Sequence, residues 1–184
     1  MGFGYKNKLH VQKQDIPPDV VKAVEFQINK EIYSQYLYNS MGAYLQCSDL
    51  PGMAKWMFKQ AREEEEHAFK LIEWLTLKGQ RVHLAQIDEP IPQWWDSPQA
   101  VFENSLEHEK LVTSLIHSMG EKILPFDKDH PELGIQALVQ WFIDEQVEEE
   151  ESVGKIVQIF VDGKSSNRSM SDIDIEIGNI QHTC

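Results

Sequence analysis

Residues 53–79 read MAKWMFKQAREEEEHAFKLIEWLTLKG. Met53, Trp56, Leu71 and Trp74 recur at helical spacing and make one apolar stripe. Glu64 and His67 fall inside that stripe, at i and i+3. A stripe of this kind is a buried face, and a buried carboxylate without a partner costs several kcal/mol. The stretch therefore predicts a core helix that carries ionisable groups into the interior.

The same interruption recurs in three other segments. Val20, Val24, Ile28 and Leu45 line one side of the first, with Glu31 in mid-stripe and Tyr38 two turns further on. Phe102, Leu106, Ile116 and Leu124 make the stripe of the third, and Glu109 interrupts it. Leu138, Trp141, Phe142, Ile156, Ile159 and Phe160 make that of the fourth, interrupted by Glu145, Glu148 and Glu149.

Pro and Gly set the limits of these segments at roughly 17–47, 52–78, 98–124 and 131–162. Each has helical periodicity rather than strand alternation. Ser97-Pro98 reads as an N-cap with Pro at the first helical position, and Gly79 and Gly163 sit where helix-ending glycines belong. Four such helices make a bundle. Short turns make the first pair and the second pair antiparallel. The link over 79–97 can span about 60 Å, against about 40 Å for a 27-residue helix, so it can cross the bundle and leave helices two and three parallel. Trp94 and Trp95 are expected to pin it. Residues 1–14 are expected to form an N-terminal arm, 15–163 the bundle, and 164–184 a loop and a tail. In that tail Ile173, Ile177 and Ile180 suit a short helix, while Ile173, Ile175 and Ile177 also suit a strand.

Counted from the expected helix starts, Glu31 lies about 14 residues in, Glu64 about 12, Glu109 about 11, and Glu145 and Glu149 about 14 and 18. All are near mid-helix, so they share one level whichever way each helix runs. No Lys or Arg stands at these positions to neutralise them. Multivalent cations would relieve the repulsion. Oxygen ligands with one imidazole and no thiolate favour iron or manganese over structural zinc or copper. Glu-x-x-His is also the spacing of di-iron carboxylate bundles. The residues thus point to a dinuclear iron site in a four-helix bundle.

Composition agrees and excludes other classes. Lys plus Arg number 17 and Asp plus Glu 30, a formal net charge of −13. That argues against nucleic acid as the main partner. No apolar run reaches the 18 or so residues of a membrane span, and the first residues lack the apolar core of a secretory signal. Cys47 and Cys184 are too few for a disulfide framework, which favours a reducing, cytoplasmic setting. Of the remaining histidines, His108 is expected to point off the ligand face, and most read as surface residues.

NKEIYSQYLY (29–38), EEEEHA (63–68), HEKLVT (108–113) and QWFIDEQVEEEE (140–151), in this order, resemble the ferritins, and most of all the bacterial non-haem members. The resemblance covers about 20–180. It implies an all-α, ferritin-like four-helix bundle with a long crossover between helices two and three and a short C-terminal fifth helix. It implies an iron-storing ferroxidase, with Glu31, Glu64 and His67 on one iron. Glu64 would bridge to a second iron held by Glu109 and Glu149, and Gln146 would supply a hydrogen-bonding amide. A third iron site would take Glu149 with Glu63, Glu145 and Glu148. Tyr38 and Trp141 match residues beside the centre that supply electrons, with core packing as the plain alternative. The oxidant would be O2 or H2O2, and the assembly a shell of 24 copies around a ferric mineral. Gln146-x-x-Glu149 replaces the second Glu-x-x-His of bacterioferritins, and Glu65 stands near their haem methionine, so no haem is expected. Two rivals stay open: an iron-binding or delivery protein with little oxidase activity, and a di-metal oxidase acting on an organic substrate.

Overall fold

The computed structural model describes residues 15–180. The arm expected over 1–14 and the last four residues lie outside the described residues. The described chain forms α1 (Pro18–Cys47), α2 (Pro51–Leu77), α3 (Pro98–Asp127), α4 (Ile135–Ser165) and α5 (Met170–Gly178), with a 3-10 turn at Pro131–Leu133 before α4 and no strand. Three helices begin with Pro at the first position, where a missing N–H costs nothing. Ser97 Oγ accepts from the Ala100 amide at 3.1 Å, so α3 is capped as its sequence predicts. Gly79 follows α2 with a φ of 72°. None of these helices is long and apolar enough to cross a membrane.

Three helix limits differ from expectation. The fourth helix, expected from 131, starts at Ile135, because Pro131–Leu133 form a separate 3-10 turn and Gly134 is left-handed (φ 64°). α3 runs through Pro125 to Asp127, because Ile123 is buried and Phe126 packs on the core beside it. The bond lost at Pro125 falls in the last turn, where little helix remains to disrupt. α4 passes Gly163 and ends at Ser165, and Asn167 takes the left-handed conformation instead (φ 53°). Gly163 is needed for space: a Cβ there would lie 2.6 Å from Ile173 Cδ1. The boundary expected at 163 thus moves two residues on.

The crossover follows α1 from end to end. Glu25 Oε1 accepts from the His83 amide at 2.7 Å, Asn29 Nδ2 donates to the Gln86 carbonyl at 2.9 Å, the Ile91 amide donates to Tyr33 Oη at 3.4 Å, and Tyr44 Oη donates to the Trp95 carbonyl at 2.5 Å. Both sets of residue numbers rise together, so the segment returns the chain to the end where α2 began. α2 and α3 are therefore parallel. Trp95 is buried and pins the segment, whereas Trp94 is 82% exposed and only meets Tyr44 edge-on, ring centres 6.5 Å apart.

The apolar interior is in two parts. One gathers Leu37 to Leu45 of α1, Met53 to Ala61 of α2, Val101 and Phe102 of α3, Val153 to Phe160 of α4, and Ile173 and Ile177 of α5. The other gathers Val20 to Ile28, Leu71 and Leu75, Val112 to Ile123, and Ile135 to Phe142. Between them every long helix carries buried polar side chains.

α5 is a helix because Ile173 and Ile177 are buried one turn apart, while Ile175, on the alternating pattern, is 60% exposed. It docks on the start of α2, where Leu50 offers no cap. Asp174 supplies it, accepting from the Gly52 amide at 3.1 Å and the Met53 amide at 2.8 Å. Gly52 permits the approach, since a Cβ there would lie 2.1 Å from the Asp174 carbonyl oxygen. Asp174→Ala should cost about 1–2 kcal/mol in denaturant unfolding and make the 166–169 loop sensitive to protease. Unchanged stability and cleavage would refute this capping role.

Candidate metal centre

The layer between the two apolar clusters receives one acid from each long helix. Glu31 and Glu109 are 0% exposed, Glu64 1%, and Glu149 7%, with His67 at 6%. One ligand atom each from Glu31, Glu64 and His67 lies within 4.8 Å of the others. His67 Nδ1 is 3.4 Å from Glu64 Oε2.

Neutral donors hold these acids. Gln27 Nε2 donates to Glu31 Oε1 at 2.9 Å. Tyr38 Oη donates to Glu109 Oε1, and Ser105 Oγ donates to Tyr38 Oη at 3.4 Å. Gln146 Nε2 donates to Glu109 Oε2 at 3.2 Å. Gln60 Nε2 donates to Glu149 Oε2 at 2.5 Å. Glu31 Oε2 and Glu64 Oε2 are buried with no hydrogen-bond partner. Orphaned carboxylate oxygens beside an imidazole are what a divalent cation satisfies.

Electrostatics point the same way. Burial first, then the charges of Glu109 and Glu31, push Glu64 well above the carboxylate range. Burial also raises Glu31, which His67, Gln27 and Glu64 partly offset. Glu109 rises from 4.5 to about 7 through burial, against the hydrogen bonds from Tyr38 and Gln146. Glu149 is raised well above its usual value by burial, then by Glu109 and Glu64. Tyr38 is held well above 10.0 by burial and by Glu109, so it stays protonated as a donor. Acids this reluctant to ionise together form a site that a cation would complete.

The α4 run is narrower than its sequence suggests. Gln146 and Glu149 face the interior, whereas Glu145 keeps 32% of its side chain exposed and Glu148 is half-buried. These two do not interrupt the buried stripe. They form a shoulder with Glu63, whose Oε1 is paired with Lys59 Nζ at 3.3 Å. Glu145 Oε2 lies 4.0 Å from His67 Nε2. Trp141 is half-buried and stands edge-on to the His67 ring at 5.6 Å, with Lys70 Nζ 3.7 Å from its ring centre. Leu124, also assigned to a stripe, is 38% exposed.

Gln27 and Gln60 carry no charge to stand out in an apolar stripe. Their signal is positional: each lies four residues before a core acid, Glu31 and Glu64. His108 is not a surface histidine. It is largely enclosed, 2.8 Å from Ser34 Oγ and edge-on to Tyr38 at 5.9 Å. Burial lowers its pKa to about 4, so it is a neutral imidazole near neutral pH.

Comparison with known proteins joins this geometry to a lineage. The chain is 36% identical over 132 residues to the bacterial non-heme ferritin of Campylobacter jejuni, covering 72% of this chain and 76% of that one. It is 35% identical over 135 residues to that of Bacteroides fragilis, covering 73% and 82%. Its fold superposes with a TM-score of 0.80 on an open pore ferritin of the archaeon Archaeoglobus fulgidus, at 38% identity, covering 90% of this chain and 98% of that one. A family model described as a ferritin-like domain matches residues 21–160, and the chain belongs to the ferritin family.

Proposed function

We propose that this protein stores iron and that the buried carboxylate layer is its ferroxidase centre. The observation that carries the reading is a core layer fed by four helices, in which Glu31 and Glu64 each keep an oxygen that makes no hydrogen bond beside His67. Glu31, Glu64 and His67 hold one Fe(II). Glu64 is shared with a second, which Glu109 and Glu149 also hold. Gln146 and Tyr38 fix the Glu109 carboxylate. Each iron gives up one electron. With dioxygen, two Fe(II) and two protons yield two Fe(III) and hydrogen peroxide; with peroxide as oxidant the product is water. Glu149, Glu63, Glu145 and Glu148 receive iron at the shoulder, on its way to a ferric mineral inside a 24-subunit cytoplasmic shell. No step requires haem.

The core carboxyls give up their protons as the ions bind, and the surrounding apolar clusters keep bulk water from them. Anaerobic loading with Fe(II) followed by air tests the reading. A fast absorbance burst saturating near two irons per chain supports it. Slow bulk oxidation alone would sink it in favour of a passive iron binder.

A further inference from the structure

Gln60 is fully buried on α2, four residues before Glu64. Its Nε2 donates across to Glu149 Oε2 on α4 at 2.5 Å, while its Oε1 has no partner. A half-satisfied buried amide is costly, so some interaction must hold it there. Its two orientations are not equivalent. Turned over, the amide would place its carbonyl oxygen against the ionised Glu149 carboxylate, so the donating orientation is the one that suits the metal-binding form. The donor is also neutral. A Lys or Arg would fix Glu149 as firmly but would cancel the charge that draws a cation.

Glu149 stands between two groups of acids. Its carboxyl feels Glu109 and Glu64 within the core, and also Glu63 on the shoulder. Glu145 and Glu148 flank it on α4, both partly exposed. A carboxylate in this place can turn either way. Resting on the ferroxidase reading above, we infer that Gln60 is a positioning residue that holds Glu149 inward, towards Glu64 and Glu109. It thereby sets how iron divides between the buried pair and the shoulder. Gln60 touches no iron; it acts through Glu149.

Cobalt(II), which air does not oxidise readily at such ligands, reads the division without turnover. The full-length protein in its native assembly is titrated anaerobically, following visible absorption and stoichiometry. Wild type should fill two buried positions per chain before the shoulder. Gln60→Leu keeps the volume and removes the donor. It should weaken the second buried ion by about tenfold, the loss expected for a hydrogen bond to a charged group, and populate the shoulder early. Adding Glu148→Gln should then remove the early shoulder signal. Gln60→His keeps an N–H donor and should restore the wild-type order. Should the Leu variant fail to fold, Gln60→Met, of similar length with neither donor nor charge, reads the same loss. If wild type binds no pair of ions, the ferroxidase reading falls and this inference with it. If wild type binds the pair and the Leu variant fills in the same order, or the His variant behaves like Leu, the tether alone is overturned.

Discussion

Replacing Glu64 with glutamine is expected to slow the fast phase of Fe(II) oxidation by more than about a hundredfold, since even residues that only support metal ligands typically cost 10–100-fold when lost. Glu64 is the acid pressed hardest: burial, Glu109, Glu31 and Glu63 all raise its pKa. Under the proposed mechanism it is the carboxylate both irons share, so its loss unties the pair. The same change should stabilise the ion-free protein. Glutamine fills the same space at a site 1% exposed and removes one of several mutually repelling acids. We expect a gain of about 1–3 kcal/mol, seen as a higher Tm of the apo form. Zinc(II) should then raise the Tm of wild type far more than that of the variant. A variant that keeps the burst to within tenfold would show that Glu64 is not the shared ligand. Opposite signs for function and apo stability separate this outcome from ordinary core damage, which lowers both.

The second large effect is on pH. A carboxyl whose folded pKa is raised binds its proton more tightly in the folded chain than in the unfolded one. Its contribution to stability is whole below the unfolded pKa and is lost as pH rises through the folded one. For Glu109 that window runs from 4.5 to about 7. The loss across it is on the order of 3 kcal/mol. Glu31, Glu64 and Glu149 are raised by burial as well and add in the same direction. The ion-free protein should therefore melt at a lower temperature at about pH 8 than at about pH 5.5. Saturating zinc(II) should reverse the slope, because ligands must shed protons to bind and the ion favours the high-pH form. Calorimetry with and without the ion checks this. Parallel slopes would mean that the buried acids titrate normally and that the layer is not a cation site.

The bundle was legible because periodicity survives in each long helix and Pro or Ser opens three of them. Glu31, Glu64, His67 and Glu109 were legible as charges standing in apolar stripes. The α4 acids were not resolved one by one. A run from Glu145 to Glu151 covers nearly every face, and only packing decides that Glu149 is inside and Glu145 on the shoulder. Amides carry no charge to flag, so Gln27 and Gln60 passed as ordinary polar residues. Adjacent tryptophans face opposite ways in an extended segment, and nothing local says that Trp95 rather than Trp94 turns in. Asp174 was hidden because its partners, Gly52 and Met53, lie more than a hundred positions earlier in the chain. Gly163 looked like a helix stop because a glycine needed for space and one needed for φ are the same letter.

The division of the interior into two apolar clusters has a consequence for cooperativity. Each cluster can hold its own half of the bundle, and what joins the halves, apart from continuous backbone, is a layer of acids that repel one another. In the ion-free protein the two ends should then behave as separate cooperative units, with amides at the level of Glu31, Glu64 and Glu109 expected to exchange hydrogen more readily than those on either side. Under the proposed function, filling the layer with cations should tie the seam together and make the whole subunit unfold as one.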